Sequence, residues 1–210
     1  MSMATFDATI RSFLTQAASN SPTPGGGSVA ALVAALGASM TSMVGNLTQG
    51  AKFADVEAEM TAAAGKMADA IAQFEQLLEE DMASFDRYMA ALKLPKDTDE
   101  QKASRSQALA DASIHATEVP MRLARLCLDS LQISETIAET ANKNVISDLG
   151  IAAFLLESAA QSALLTVDMN LPGLKDAERK SAYEAERGAL LTAITPLKDK
   201  IVTTVRQRLA

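Results

Sequence analysis

A carboxylate sits where a core residue belongs. From Phe53 to Leu92, apolar residues recur at helical spacing through Val56, Met60, Met67, Ile71, Phe74, Leu78, Phe85 and Tyr88. Asp81 falls on that stripe, seven residues after Phe74 and four before Phe85. An unpaired buried charge is costly, so Asp81 either pairs with a cation, Arg105 being the candidate, or acts as a base or cation stabiliser. Asp148 is the second carboxylate of interest, with helix capping as its simpler reading. Just ahead of it Asn142, Asn144 and Ser147 offer amide and hydroxyl groups that can read a polar heterocycle or simply build a turn. Pro24-Gly25-Gly26-Gly27-Ser28 leads into a helix, and backbone N–H groups at such a start favour a carboxylate or phosphate. A tight turn is the competing explanation. No Gly-Lys-Ser/Thr ending follows, so this is not a P-loop.

Other reactive residues point nowhere in particular. His115 lies just off an apolar stripe, Cys127 reads as core filler, and the ten Met read as packing. One His and one Cys, with no spaced carboxylate pair on a shared face, predict no metal site. A net charge of -7 argues against a nucleic-acid partner. A single Cys predicts a reducing, cytoplasmic setting, and Met1–Ile10 shows no basic region leading into an apolar core.

The elements that must position these groups are helical. Of the 210 residues 48% are hydrophobic but only 4% aromatic, so the core comes from Ala, Leu, Val, Ile and Met. Thr5 to Ala18 predicts a short amphipathic helix with Phe6, Ile10, Phe13, Leu14 and Ala17 on one side. Ser28 to Leu47 carries no charge, but its Ala, Gly, Ser and Thr content predicts a wrapped central helix rather than a membrane span. Within it Gly37, Thr41 and Gly45 recur every fourth residue, letting another backbone approach in the domain or across a dimer. After the break at Leu94–Asp99, with Thr98 or Asp99 as cap, a long helix runs through Leu109, Ala112, Ala116, Val119, Leu123, Leu126, Ser130 and Ile133. Pro120 should bend it by removing the bond to the Ala116 carbonyl. A second central helix, Gly150 to Val167, has Glu157 as its only charge, is capped by Ser147 or Asp148, and stops near Asn170-Leu171-Pro172-Gly173. A last amphipathic helix spans about Asp176 to Leu209. The expected fold is one all-α, multi-helix bundle over residues 1–210 with two central uncharged helices, complete by itself or by dimerising.

The ordered set Pro24-Gly25-Gly26-Gly27-Ser28-Val29-Ala30-Ala31, Ser42-Met43-Val44, Asp81…Phe85, Leu94-Pro95-Lys96, Arg105, Val119-Pro120 and Asn142…Ser147-Asp148-Leu149-Gly150 resembles one family. It is similar to the cyclodeaminase domain of formiminotransferase-cyclodeaminase and to the stand-alone methenyltetrahydrofolate cyclohydrolases. The resemblance implies an all-helical homodimer with folate sites near the subunit interface, a tetrahydrofolate derivative as substrate and no further cofactor. It implies hydrolysis of 5,10-methenyltetrahydrofolate to the 10-formyl form, with formiminotetrahydrofolate cyclodeamination as the alternative. A non-catalytic folate-binding or helical assembly protein is the reading from another class. Asp148 and Asp81 would handle protons and stabilise the cation. Gly25, Gly26, Gly27, Ser28, Lys52, Arg105, Asn142, Asn144 and Ser147 would bind substrate. In two places the chain departs from the family: the run Thr48-Gln49-Gly50-Ala51-Lys52-Phe53 carries a single Lys, and Thr166 stands where Asn is common. One cation there weakens capture of a polyanionic tail.

Overall fold

Small side chains let helices pack closely, and the chain folds as six α-helices among the described residues. They are α1 (Ile10–Ala17), α2 (Gly26–Asn46), α3 (Glu57–Leu92), α4 (Asp99–Ile137), α5 (Ile146–Asn170) and α6 (Ala177–Leu209). The computed structural model describes residues 5–210; Met1–Ala4, part of the stretch read above for a leader, lie outside the described residues.

The two apolar helices α2 and α5 are central and antiparallel. Gly26, Val29 and Val33 of α2 lie beside Ser162, Leu165 and Met169 of α5, while Gly37 lies against Ala152 and Leu156. α2 also packs on α3, α5 on α4 and α6, and α3 on α4. By length and composition α2 and α5 would each pass for a membrane span, yet about half of each apolar window is buried by other helices. The small-residue repeat of α2 is used within the chain. Gly37 admits Leu156, Thr41 shares a 2.8 Å hydrogen bond with Ser134, and Gly45 meets the Met60 carbonyl. A Cβ at Gly45 would stand 2.9 Å from that backbone oxygen. Gly45→Ala is therefore expected to cost about 2 kcal/mol despite better helix propensity, lowering the melting temperature by roughly 4–8 °C in a thermal melt.

Helix ends follow local chemistry. Thr98 and Gln101 form a full capping box at α4, and Asp176 caps α6. Two expectations need correcting. Neither Ser147 nor Asp148 caps α5; it starts at Ile146, one residue after a short turn capped by Asn142, which puts both in its first turn. There Asp148 meets the positive end of the helix dipole. The predicted one-sided stripe of the first helix also breaks up. Thr5–Asp7 is a separate 3-10 turn, and Phe13, with Ala17 and Phe6 packed partly against the core, holds the segment while Ile10 and Leu14 stay exposed.

α4 runs without interruption across Pro120. Glu157, the lone charge in the middle of α5, is paired with Lys198 at 3.3 Å and takes a hydrogen bond from Thr195 at 2.9 Å. Cys127 is fully buried, as filler should be, and burial pushes its thiol far up. His115 is exposed.

Candidate active site

Asp81 stands at the wall of a cavity of about 440 Å³ at one end of the bundle. α3 supplies Asp81, Ser84, Phe85 and Tyr88; α4 supplies Ser113, Ala116 and Val119; the end of α5 supplies Thr166, Met169 and Asn170. Two rings and a carboxyl on successive turns of α3 result from the i, i+4, i+7 spacing that had placed Asp81 on the apolar stripe.

The Gly-rich start of α2 already has an anion of its own. Ser28 Oγ, fully buried, donates to Asp81 Oδ2 at 2.7 Å, and the Ser28 backbone N–H adds a second contact. A Cβ at Gly27 would run into both carboxylate oxygens, so the missing side chain is what lets the carboxylate lie against the helix N-terminus. Gly25 is the extended N-cap residue, and Gly26 is exposed beside the neighbouring groove between α2 and α5. Burial raises the Asp81 pKa, and the two Ser28 donors pull it down less than burial lifts it. This leaves a carboxyl able to hold a proton, facing an apolar, aromatic-lined space.

Arg105 is not its counterion. The guanidinium donates to the Leu92 carbonyl from Nε at 3.4 Å and Nη2 at 3.3 Å, tying the end of α3 to the start of α4. Leu92 lies eleven residues beyond Asp81, about 16 Å along the helix.

The other predicted site residues gather at the opposite end. Asn142 Nδ2 donates to the Leu47 carbonyl at 2.9 Å, its Oδ1 accepts from the Asn144 N–H at 3.1 Å, and its own N–H reaches Thr48 Oγ1 at 3.0 Å. Both ends of its amide are thus engaged, the Nδ2 joining the loop after α2 to the turn before α5. Arg208 braces the same turn through the Ala138 and Ala141 carbonyls, at 2.7 and 2.6 Å. Asn144, Ser147 and Lys52 are exposed, and Lys52 follows Gly50, whose φ of 87° only glycine adopts readily. Among the described residues half-buried Asp148 makes no side-chain hydrogen bond or ion pair. From Asp148 to Thr166 at the cavity is eighteen residues of α5, about 27 Å. Within one chain the structure therefore brings Gly27, Ser28 and Asp81 together, and gathers Asn142, Asn144, Ser147 and Asp148 elsewhere.

Residues 9–189 match the family model described as formiminotransferase-cyclodeaminase. The chain belongs to that family. It is 38% identical to the methenyltetrahydrofolate cyclohydrolase of Methylorubrum extorquens, over 95% of this chain and 97% of that one. It is 36% identical to the formimidoyltransferase-cyclodeaminase of Rattus norvegicus over 81% of this chain, a match that takes up 32% of the rat protein. The crystal structure of formiminotetrahydrofolate cyclodeaminase from Thermotoga maritima superposes with a TM-score of 0.86 at 27% identity, covering 98% of this chain and all of that one. This family member is thus an all-α folate one-carbon protein of the cyclodeaminase/cyclohydrolase group.

Ser84, Tyr88, Ser113 and Asn170 were not among the predicted site residues, although the structure sets them around Asp81; Thr166, singled out by its departure from the family, lines the same cavity. Tyr88 was within reach of the spacing argument, one turn past Phe85 and on the Asp81 face. Ser113 and Asn170 carried no such signal, because their nearness to Asp81 depends on how α4 and α5 pack on α3.

Proposed function

We propose that this chain is a formiminotetrahydrofolate cyclodeaminase, working as a homodimer with Asp81 as its proton carrier. The observation behind it is Asp81 itself: a carboxyl held by Ser28, raised by burial, on the wall of an aromatic-lined cavity. The family description and the full-length likeness to the Thermotoga maritima protein favour this reaction over hydrolysis, which the sequence had put first.

The reaction forms one carbon–nitrogen bond and breaks another, and asks the protein chiefly to move protons. As N10 attacks the formimino carbon, protonated Asp81 gives its proton to the formimino nitrogen and then removes the proton of N10. The ring intermediate now bears an amino group. Asp81 returns the proton to that group, the carbon–nitrogen bond breaks and ammonia leaves. The N5 and N10 lone pairs close the amidinium cation of 5,10-methenyltetrahydrofolate, and the carboxylate left behind stabilises it. Phe85 and Tyr88 would shield the step from bulk water. One specific observation supports hydrolysis as a second reading, the 38% identity to a cyclohydrolase over nearly the full length of both chains. There the carboxylate would take a proton from water adding to the same carbon before the bond to N5 breaks. A near-ultraviolet assay separates the two: the methenyl chromophore appears from formiminotetrahydrofolate with ammonia release, or disappears faster from methenyltetrahydrofolate. Silence with both substrates overturns the enzyme reading.

The dimer is supported by an apolar face that these central helices turn outward. Val29 and Leu36 of α2 and Ile151, Phe154, Leu165 and Met169 of α5 are exposed, the last two at 69% and 82%. A face of this length on helices otherwise wrapped by neighbours fits a second copy of the chain. A two-fold contact along it would bring the Ile151 end of one protomer to the Met169 end of the other. The partner's Asp148, with its Lys52, Asn144 and Ser147, would then complete the site around Asp81, Gly25 to Ser28 holding that carboxyl in place. Asp81→Asn and Asp148→Asn, each inactive alone, are expected to regain about a quarter of wild-type activity when co-assembled, since half the dimers carry one intact site. No recovery in verified mixed dimers refutes the shared site.

A further inference from the structure

The structure assigns Asn170 as the residue that reads the aminopyrimidinone edge of the substrate's pterin ring, an inference that rests on the folate reading above. Pro120 has no N–H, so the Ala116 carbonyl of α4 lacks its helical donor. Asn170 supplies the replacement: its Nδ2 donates to that carbonyl at 2.6 Å. Of the two ends of an amide only the NH2 can donate to a carbonyl, so this bond fixes which way round the side chain sits and leaves Oδ1 as the end turned to other partners. Asn170 is also the N-cap residue of the 3-10 turn Leu171–Gly173, where Asn ordinarily caps with Oδ1, yet it makes no capping bond. The acceptor is turned away from its commonest local use.

Asn170 and Ala116 both line the Asp81 cavity. The hydroxyls nearby reinforce its character. Ser113 gives its proton to the Leu109 carbonyl at 2.8 Å and Thr166 directs its own to the Ser162 carbonyl at 3.4 Å, so each is left with lone pairs to offer. The α4 and α5 part of the lining is acceptor-rich, and the α3 part adds the Phe85 and Tyr88 rings. A flat ligand with adjacent N–H and NH2 donors matches it, and the 2-amino-4-oxopyrimidine ring of a pterin presents N3–H beside a 2-amino group. With the ring's donors at Asn170, Asp81 is left for the reacting end.

The test pairs a substrate change with a residue change in the full-length protein. The substrates are the native formimino compound and an analogue with methyl in place of the 2-amino group. Wild type should prefer the native compound, and Asn170→Ala should cut that preference by about tenfold by lowering kcat/KM for the native compound through KM, with little effect on the analogue. A purely structural Asn170 would lower both substrates equally. Because Asn170→Ala strands the Ala116 carbonyl, the double variant Pro120→Ala/Asn170→Ala is measured beside it. Alanine at 120 restores the helical N–H and keeps the fold without the amide. An unchanged preference in the folded double variant overturns the assignment while leaving the cyclodeaminase reading intact. Absence of turnover and of binding with the native compound in wild type overturns both.

Discussion

Replacing Asp81 with Asn should lower turnover by about 10²- to 10⁴-fold, the span of a lost acid–base group, and raise stability at neutral pH. The amide is isosteric and still accepts from Ser28 Oγ, so the change removes the proton carrier and little else. Burial, the larger influence, raises the Asp81 pKa against the opposing Ser28 contacts. The folded chain therefore keeps this proton to a higher pH than the unfolded chain does. Its contribution to stability is full below the unfolded value, about 4, and is lost as pH rises through the folded value. At pH 7 the buried carboxyl has therefore lost stability relative to acid, a cost that Asn does not carry. Melting curves of wild type and variant should converge in acid and separate at pH 7 with the variant higher. A variant that melts lower at pH 7 contradicts the buried-acid assignment. In the same picture, wild-type cyclodeamination declines on the alkaline side as Asp81 ionises, a limb the variant's residual rate should lack.

Gly27→Ala should cost roughly 10- to 100-fold in kcat while moving the melting temperature little. The added methyl meets the Asp81 carboxylate, which is the end of a rotatable side chain and swings aside more easily than the backbone shifts. Swinging aside breaks the Ser28 bond and moves the proton carrier, an error of about an ångström at the reacting centre. The contrast with Gly45 is useful. There the obstacle is a backbone carbonyl on α3, so the same substitution is expected to act on stability. If Gly27→Ala retains wild-type kcat, the carboxylate does not work from its place against α2.

Much of the fold was legible in the residues. Periodic apolar positions on α3 and α4, the cap at Thr98, the start of the last helix near Asp176, and the uncharged runs that became α2 and α5 are local signals, because helix formation and capping depend on neighbours within a turn or two. The same logic marked Asp81, since a carboxylate on a core-facing stripe is visible in one dimension. It misread α1, where packing rather than periodicity chose Phe13 over Ile10 and Leu14. It also expected a cap from Ser147 or Asp148, because the real cap, Asn142, serves a 3-10 turn whose existence depends on bonds to Leu47 and Thr48 about 95 positions away in the chain. The order of motifs was enough to indicate the family.

Only the tertiary structure could decide what each motif touches. It gave the Gly27–Ser28 amide end to Asp81 rather than leaving it open, joined Arg105 to the end of α3, and set Asp148 some 27 Å of helix away from the cavity. It also took Asn170, which in one dimension merely precedes a helix stop, and turned it to a carbonyl freed by a proline fifty residues earlier. These are contacts between separate helices, selected by how the helices pack. Sequence spacing governs which face of a helix a residue shares; which other helix that face meets is settled by the close packing of the whole core.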